Sequence, residues 1–169
     1  MAGDAMSQGT NDSVRRELLR HALATLAYRG GKAVRGAPDS FASFHLAATS
    51  RTPVQILAHI GDLLDWALSL GRGQEAWKES PPLAWQDEVS RFYDGLQHFD
   101  AQLAAQDPQG ASVEQILQGP IADALTHVGQ LTLLRRLAGS PVRGENYLRA
   151  DIAAGRVGPQ QEPPRREFE

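Results

Sequence analysis

Apolar residues recur along this chain at helical spacings, and almost nowhere with the period of two that marks a half-buried strand. The first run carries Val14, Leu18, Leu19, Ala22, Leu23 and Leu26, with a start signal at Asn11–Ser13. It is expected to weaken at Gly30-Gly31 and to resume as far as Arg35, before Gly36 and Pro38. A second helix opens on Thr52-Pro53-Val54-Gln55, which supplies an N-cap threonine, proline at the first helical position and a capping-box glutamine. It runs to Gly71. After a Pro/Gly loop, Pro81-Pro82 introduces a third helix, where Trp85, Val89, Phe92, Leu96, Phe99 and Leu103 repeat at spacings of 4-3-4-3-4. That stripe belongs to a helix packed nearly antiparallel to its neighbours. Ser112 caps a short helix from Val113 to Gln118. Pro120 then reopens a long one that stops at Gly139-Ser140-Pro141.

Four long amphipathic helices without an internal repeat predict an all-α fold, an up-down four-helix bundle with short extra helices. Residues 1–12 read as a flexible N-terminal arm, 13–143 as the bundle, and 144–169 as a short helix in "ENYLRADIAAG" followed by an irregular tail. The fourth long helix is apolar on two sides, since Ile121, Leu125 and Val128 lie opposite Asp123 and His127. The segment around Tyr147, Leu148 and Ile152, or a second copy of the chain, is expected to cover the outer one.

Composition narrows the function classes. A chain of 169 residues can bury a core, and a net charge of −3 supplies no basic footprint for nucleic acid. With no cysteine, disulfides, thiolate zinc sites and a cysteine nucleophile are excluded. No apolar run reaches the ~18–20 residues of a membrane span, and the polar N-terminus lacks the layout of a secretory signal. The expected location is cytoplasmic, with no membrane and no nucleic-acid partner.

The candidate chemistry lies in "DALTHVGQ". Asp123 and His127 stand four apart, with Gln130 one turn further, all within about 80° of each other on one helical face. On the second helix, His59 shares its face with Ile56, Ile60, Leu63, Trp66 and Leu70. An imidazole there needs partners for its nitrogens, because an unsatisfied buried polar group costs ~1–3 kcal/mol. A divalent zinc, nickel, iron or manganese ion held by His59, Asp123 and His127 would supply them. So would a hydrogen-bond network in which Asp123 accepts from the histidines. Asp62, three residues beyond His59, is a candidate acceptor for its imidazole, whereas Asp65 is expected to face solvent. Tyr93 is a packing residue or a pocket-mouth residue. His21, His45 and His98 read as surface or packing residues, and Arg135-Arg136 as solvated or interface residues.

"LAHIGDLLDWAL" followed by "DALTHVGQLTLLRRLAGSPV" resembles the DinB/YfiT-like superfamily of four-helix bundles, many of them metal-dependent enzymes. The resemblance extends through about Pro141. Its pattern places one histidine on the second helix, then H-x-x-x-H followed by x-G-Q on the fourth. His59 matches the first histidine, His127 the last, and Gly129-Gln130 the x-G-Q. Asp123 replaces the remaining histidine, giving a two-His-one-carboxylate set that shifts preference toward harder ions. The resemblance implies a homodimer and thiol-dependent S-transferase chemistry, in which a metal lowers the pKa of a low-molecular-weight thiol that attacks a small-molecule substrate.

A hydrolase using metal-bound water fits the same ligands, with Gln130 and Asp62 as candidate catalytic positioning residues. A non-catalytic ligand-binding or stress-associated bundle with a metal-free site is the alternative, and a purely structural module would make His59→Leu neutral or stabilising. Arg149 and Asp151 are candidates for reaching back over the site.

Overall fold

A computed structural model describes residues 2–168, for residues 2–8 and Thr10 by backbone alone. The fold is all-α. Its helices are α1 (Ala2–Val34), α2 (Pro53–Gly71), α3 (Trp85–Ala105), the short α4 (Val113–Ile116) and α5 (Ala122–Leu137). Short 3-10 turns occur at Asp39–Phe41 and Tyr147–Arg149, and the described residues include no strand beyond a single bridge between Glu145 and Glu167. Helix α1 packs on α3 and α5, and α2 packs on the same two, so the four long helices surround one core. Phe92, Leu96, Phe99 and Leu103 from α3 are fully buried there, with Leu19, Leu23 and Leu26 from α1 and Ile60 and Leu64 from α2. No helix among the described residues is long and apolar enough to cross a membrane.

The second helix begins where its residues require. Thr52 Oγ1 accepts from the Gln55 backbone N–H, and Gln55 Oε1 accepts from the Thr52 N–H at 2.8 Å. Ser112 and Gln115 repeat the device at α4. Gly119 departs from helical geometry (φ −86°, ψ −105°), and together with Pro120 it inserts a π-type turn between α4 and α5. At the far end of α5, Gly139 takes φ +74°, and the Ser140 N–H reaches back to the Arg135 carbonyl at 2.9 Å. That is the glycine-terminated stop expected from Gly139-Ser140-Pro141.

Helix α1 differs from expectation at both ends. Met1 lies outside the described residues, but from Ala2 the backbone is already helical, so Asn11–Ser13 is passed through and does not cap the helix. Extending a formed helix adds one hydrogen bond per residue fixed, which lets the packed half propagate upstream. Nor is there a break at Gly30-Gly31. A Cβ on Gly30 would lie 2.5 Å from Phe92 Cζ, so the glycine lets α3 approach the helix. Gly30→Ala should therefore destabilise the fold by about 1–3 kcal/mol through overpacking. Gly129→Ala on α5, where a Cβ meets nothing within 4 Å, should stabilise it by about 0.5–1 kcal/mol. Paired urea denaturation curves test the opposite signs.

The outer side of α5 and the Arg135-Arg136 pair depart from expectation in part. Ile121 and Val128 are buried within the single chain, where α1 packs on α5, with Tyr147 of the C-terminal segment beside Val128 and Ile152 packed against the core. Leu148 is 92% exposed and covers nothing. Arg135 is buried, not solvated. Its guanidinium donates to the carbonyls of Ala33, Arg35 and Gly36 at the end of α1, and it stands 5.6 Å from the centre of the Phe41 ring. Carbonyls left over at a helix C-terminus attract a cation, and Arg135 meets that need across the fold while Arg136 stays exposed.

Candidate metal centre

The kink at Gly119-Pro120 sets α5 against α2 so that the first turn of α5 faces the middle of α2. His59, Asp123 and His127 come together there, each offering one ligand atom, with all three atoms within 4.8 Å of one another. The imidazole rings of His59 and His127 are 4.7 Å apart and nearly perpendicular. Their side chains are mostly buried, 17% and 12% exposed, whereas that of Asp123 is 48% exposed. The group is therefore open on its carboxylate side.

The two His–Asp distances inside the group are longer than direct hydrogen bonds. Nε2 of His59 lies 3.7 Å from Asp123 Oδ2, and Nε2 of His127 lies 3.5 Å from Asp123 Oδ1. A charge-assisted N–H···O bond would draw these atoms to ~2.7–2.9 Å. Tetrahedral ligands at ~2.0–2.1 Å from a shared ion stand ~3.3 Å from each other. The observed gaps lie much nearer the second value. Burial, with the neighbouring His127 and Arg51, pushes the His59 imidazole below its ordinary pKa and favours the neutral form that a metal requires.

Gln130 is placed to fix the second histidine. Its Oε1 lies 3.0 Å from His127 Nδ1. Since a glutamine oxygen only accepts, that contact puts the proton on Nδ1 and leaves the Nε2 lone pair directed at the group. Thr126 Oγ1 donates weakly to Asp123 Oδ1 at 3.4 Å.

Asp62 has another task than the one its spacing suggested. Its Oδ1 accepts from Arg91 at 2.6 Å and its Oδ2 from the Ser80 backbone N–H at 3.0 Å, so neither oxygen is given to His59. Asp65, exposed as expected, also pairs with Arg91 at 2.6 Å. Through Ser80, Asp62 holds the loop between α2 and α3.

That loop carries Trp77, a residue the sequence did not single out. Its ring stands 5.8 Å from the His59 ring and 5.7 Å from that of Trp66, nearly perpendicular to both. Trp77 is 49% exposed and walls the site on the α2 side. A lone aromatic in a Pro/Gly-rich loop has no periodicity to reveal it. Beside His59, a small cavity of about 150 Å³ opens toward Arg51, Gln55 and Glu79.

The other candidates lie elsewhere. Tyr93 is buried, with its hydroxyl against Gly31, and serves packing. His21, His45 and His98 are exposed. Asp151 pairs with Arg156 and Arg165 within the C-terminal segment and does not close over the site. In comparisons with known proteins, the chain matches no protein-family profile, no curated protein and no solved structure.

Proposed function

We propose that this chain is a DinB-like up-down four-helix bundle in which His59, Asp123 and His127 hold one divalent transition ion. The observation that carries the reading is the convergence of three ligand atoms within 4.8 Å of one another, with the His59 and His127 Nε2 atoms 3.7 and 3.5 Å from the Asp123 carboxylate oxygens, too wide for hydrogen bonds and near what a shared ion requires. The donor set, two imidazoles and a carboxylate, suits zinc, nickel, ferrous iron or manganese. The resemblance adds the reaction class, a thiol-dependent transferase or a hydrolase acting on a small molecule, and association as a homodimer. A monomeric mass by light scattering at micromolar concentration would refute the dimer.

When bound, the ion would supply Lewis acidity at neutral pH, lowering the pKa of a thiol or water. The chain's own residues do the rest. Gln130 orients His127, Asp123 leaves the group open to solvent, and Trp77 shields one side and presents a flat apolar wall to a substrate.

Tryptophan fluorescence tests the reading, because paramagnetic ions quench indoles at short range. Titration with Co(II) should give saturable quenching at one ion per chain, largely lost in Trp77→Phe, with saturation itself lost in His59→Ala. Quenching that is the same in His59→Ala as in the wild type would end the proposal.

A further inference from the structure

Around α5, the positions that face away from His127 line a second pocket. Val128, Gly129, Thr132 and Arg136 project between about 100° and 200° from His127 at 100° per residue. With α1 and the C-terminal segment they enclose a pocket of about 340 Å³, within the range of small-molecule sites. We propose that this pocket binds a small organic anion, a carboxylate or phosphate head carried on a planar apolar body, independently of the metal centre.

The charge of the pocket points to an anion. Arg29 and Arg136 line it, and neither guanidinium has a carboxylate partner or a side-chain hydrogen bond among the described residues. Arg29 is held in place by the ring of Tyr147, 4.6 Å away. Tyr147 in turn stands edge-on to Tyr28, 6.3 Å between centres, and the Tyr28 hydroxyl donates to Glu145 at 2.8 Å. The cation therefore sits on an aromatic stack tied through Tyr28 to the buried Glu145, and each contact that pre-orders it lowers the entropy lost on binding.

The acidic groups nearby do not cancel this charge. Glu145 has a fully buried side chain, and Lys32 donates to it at 2.8 Å and to Glu167 at 2.7 Å. Arg143 adds a more distant contact to Glu167 at 3.9 Å. Among the described residues in and beside the pocket, four cations are set against two carboxylates, and both carboxylates are already engaged.

The shape supplies the rest. A Cβ at Gly129 would meet nothing within 4 Å, so the helix surface there is bare where the pocket lies against it. Leu133 and Phe168, about half exposed, form an apolar flank. Two guanidinium groups in the lining beside an apolar flank suit a ligand that is charged at one end and flat at the other.

The test uses the full chain and calorimetric titration with 2-naphthoate, 2-naphthyl phosphate and the neutral 2-naphthamide. At least one anion should bind at one per chain, tenfold or more tighter than the amide, and the better of the two identifies the head group. Arg29→Gln and Arg136→Gln, both at exposed positions, should each weaken binding tenfold or more. Gly129→Met should block it by filling the pocket, while His59→Ala should leave it unchanged. Three outcomes would overturn the proposal: no binding of either anion at millimolar concentration, equal affinity for the amide, or affinity unchanged in both arginine variants. Loss of binding in His59→Ala would overturn it as well, by placing the anion at the metal centre.

Discussion

Protein purified without chelator and incubated with zinc, nickel, manganese or ferrous iron should retain about one ion per chain, and His59→Ala, Asp123→Ala and His127→Ala should each lose it. The size of the loss follows from the site. Removing a group that merely orients a ligand costs ~10–100-fold in metal affinity. Gln130→Leu should fall in that range, because it frees His127 Nδ1 and with it the choice of tautomer. Removing a ligand outright from a set of three should cost more than about 100-fold. Asp123→His restores the three-histidine pattern of the resembling superfamily, so it should keep an ion and move preference toward zinc and nickel. An ion held at a hundred times its Kd stabilises the folded state by about 2.7 kcal/mol. For a chain of this size that is a rise in Tm of roughly 5–10 °C, absent in His59→Ala. Elemental analysis showing under about 0.1 ion per chain in the wild type, with no difference among the variants, would sink the metal reading.

The parts of this site that were legible in the sequence are those carried by local spacing. Asp123, His127 and Gln130 belong to one helix, and at 100° per residue their common face follows from the chain alone. The Thr52-Gln55 capping box and the apolar stripe from Trp85 to Leu103 are local in the same sense, and the structure shows both. Features set by another part of the chain were not legible. Gly30 reads as a helix breaker until Phe92, some sixty residues later, is seen against it. Arg135 and Arg136 are adjacent and chemically alike, and only the position of α1's last carbonyls makes one of them a buried clamp. Asp62 stands at helical spacing from His59, but Arg91 on α3 and the Ser80 amide compete for its oxygens and take both.

The pairing of Arg91 with Asp62 carries the largest expected loss of stability. Arg91→Leu should destabilise the fold by about 3–5 kcal/mol, the range for removing one partner of a buried ion pair. Asp62 is 2% exposed and Glu88 is 1% exposed. Arg91 is the cation that faces both, at 2.6 Å from Asp62 Oδ1 and 3.6 Å from Glu88 Oε2, while it also donates to the Ala58 carbonyl at 3.3 Å. Without it, two carboxylates are left in the interior with only backbone amides as partners. Those amides belong to the loop beside His59: Ser80 N–H binds Asp62, and Leu83 N–H binds Glu88 Oε1 at 2.9 Å. One guanidinium thus neutralises both anchors of the segment that carries Trp77 to His59. Arg91→Lys should recover little, because a single ammonium cannot place one nitrogen on Asp62 and Asp65 and a second toward the Ala58 carbonyl and Glu88, as Nη2 and Nη1 of the planar guanidinium do. Asp65→Ala removes the exposed member and should cost under about 1 kcal/mol. Urea unfolding measures all three. A loss below about 1 kcal/mol for Arg91→Leu would show that the two buried carboxylates do not depend on it. With the expected loss, a metal titration of Arg91→Leu under conditions where it remains folded separates anchoring from coordination. His59, Asp123 and His127 would still bind the ion, while the quenching of Trp77 would weaken as the loop moves away.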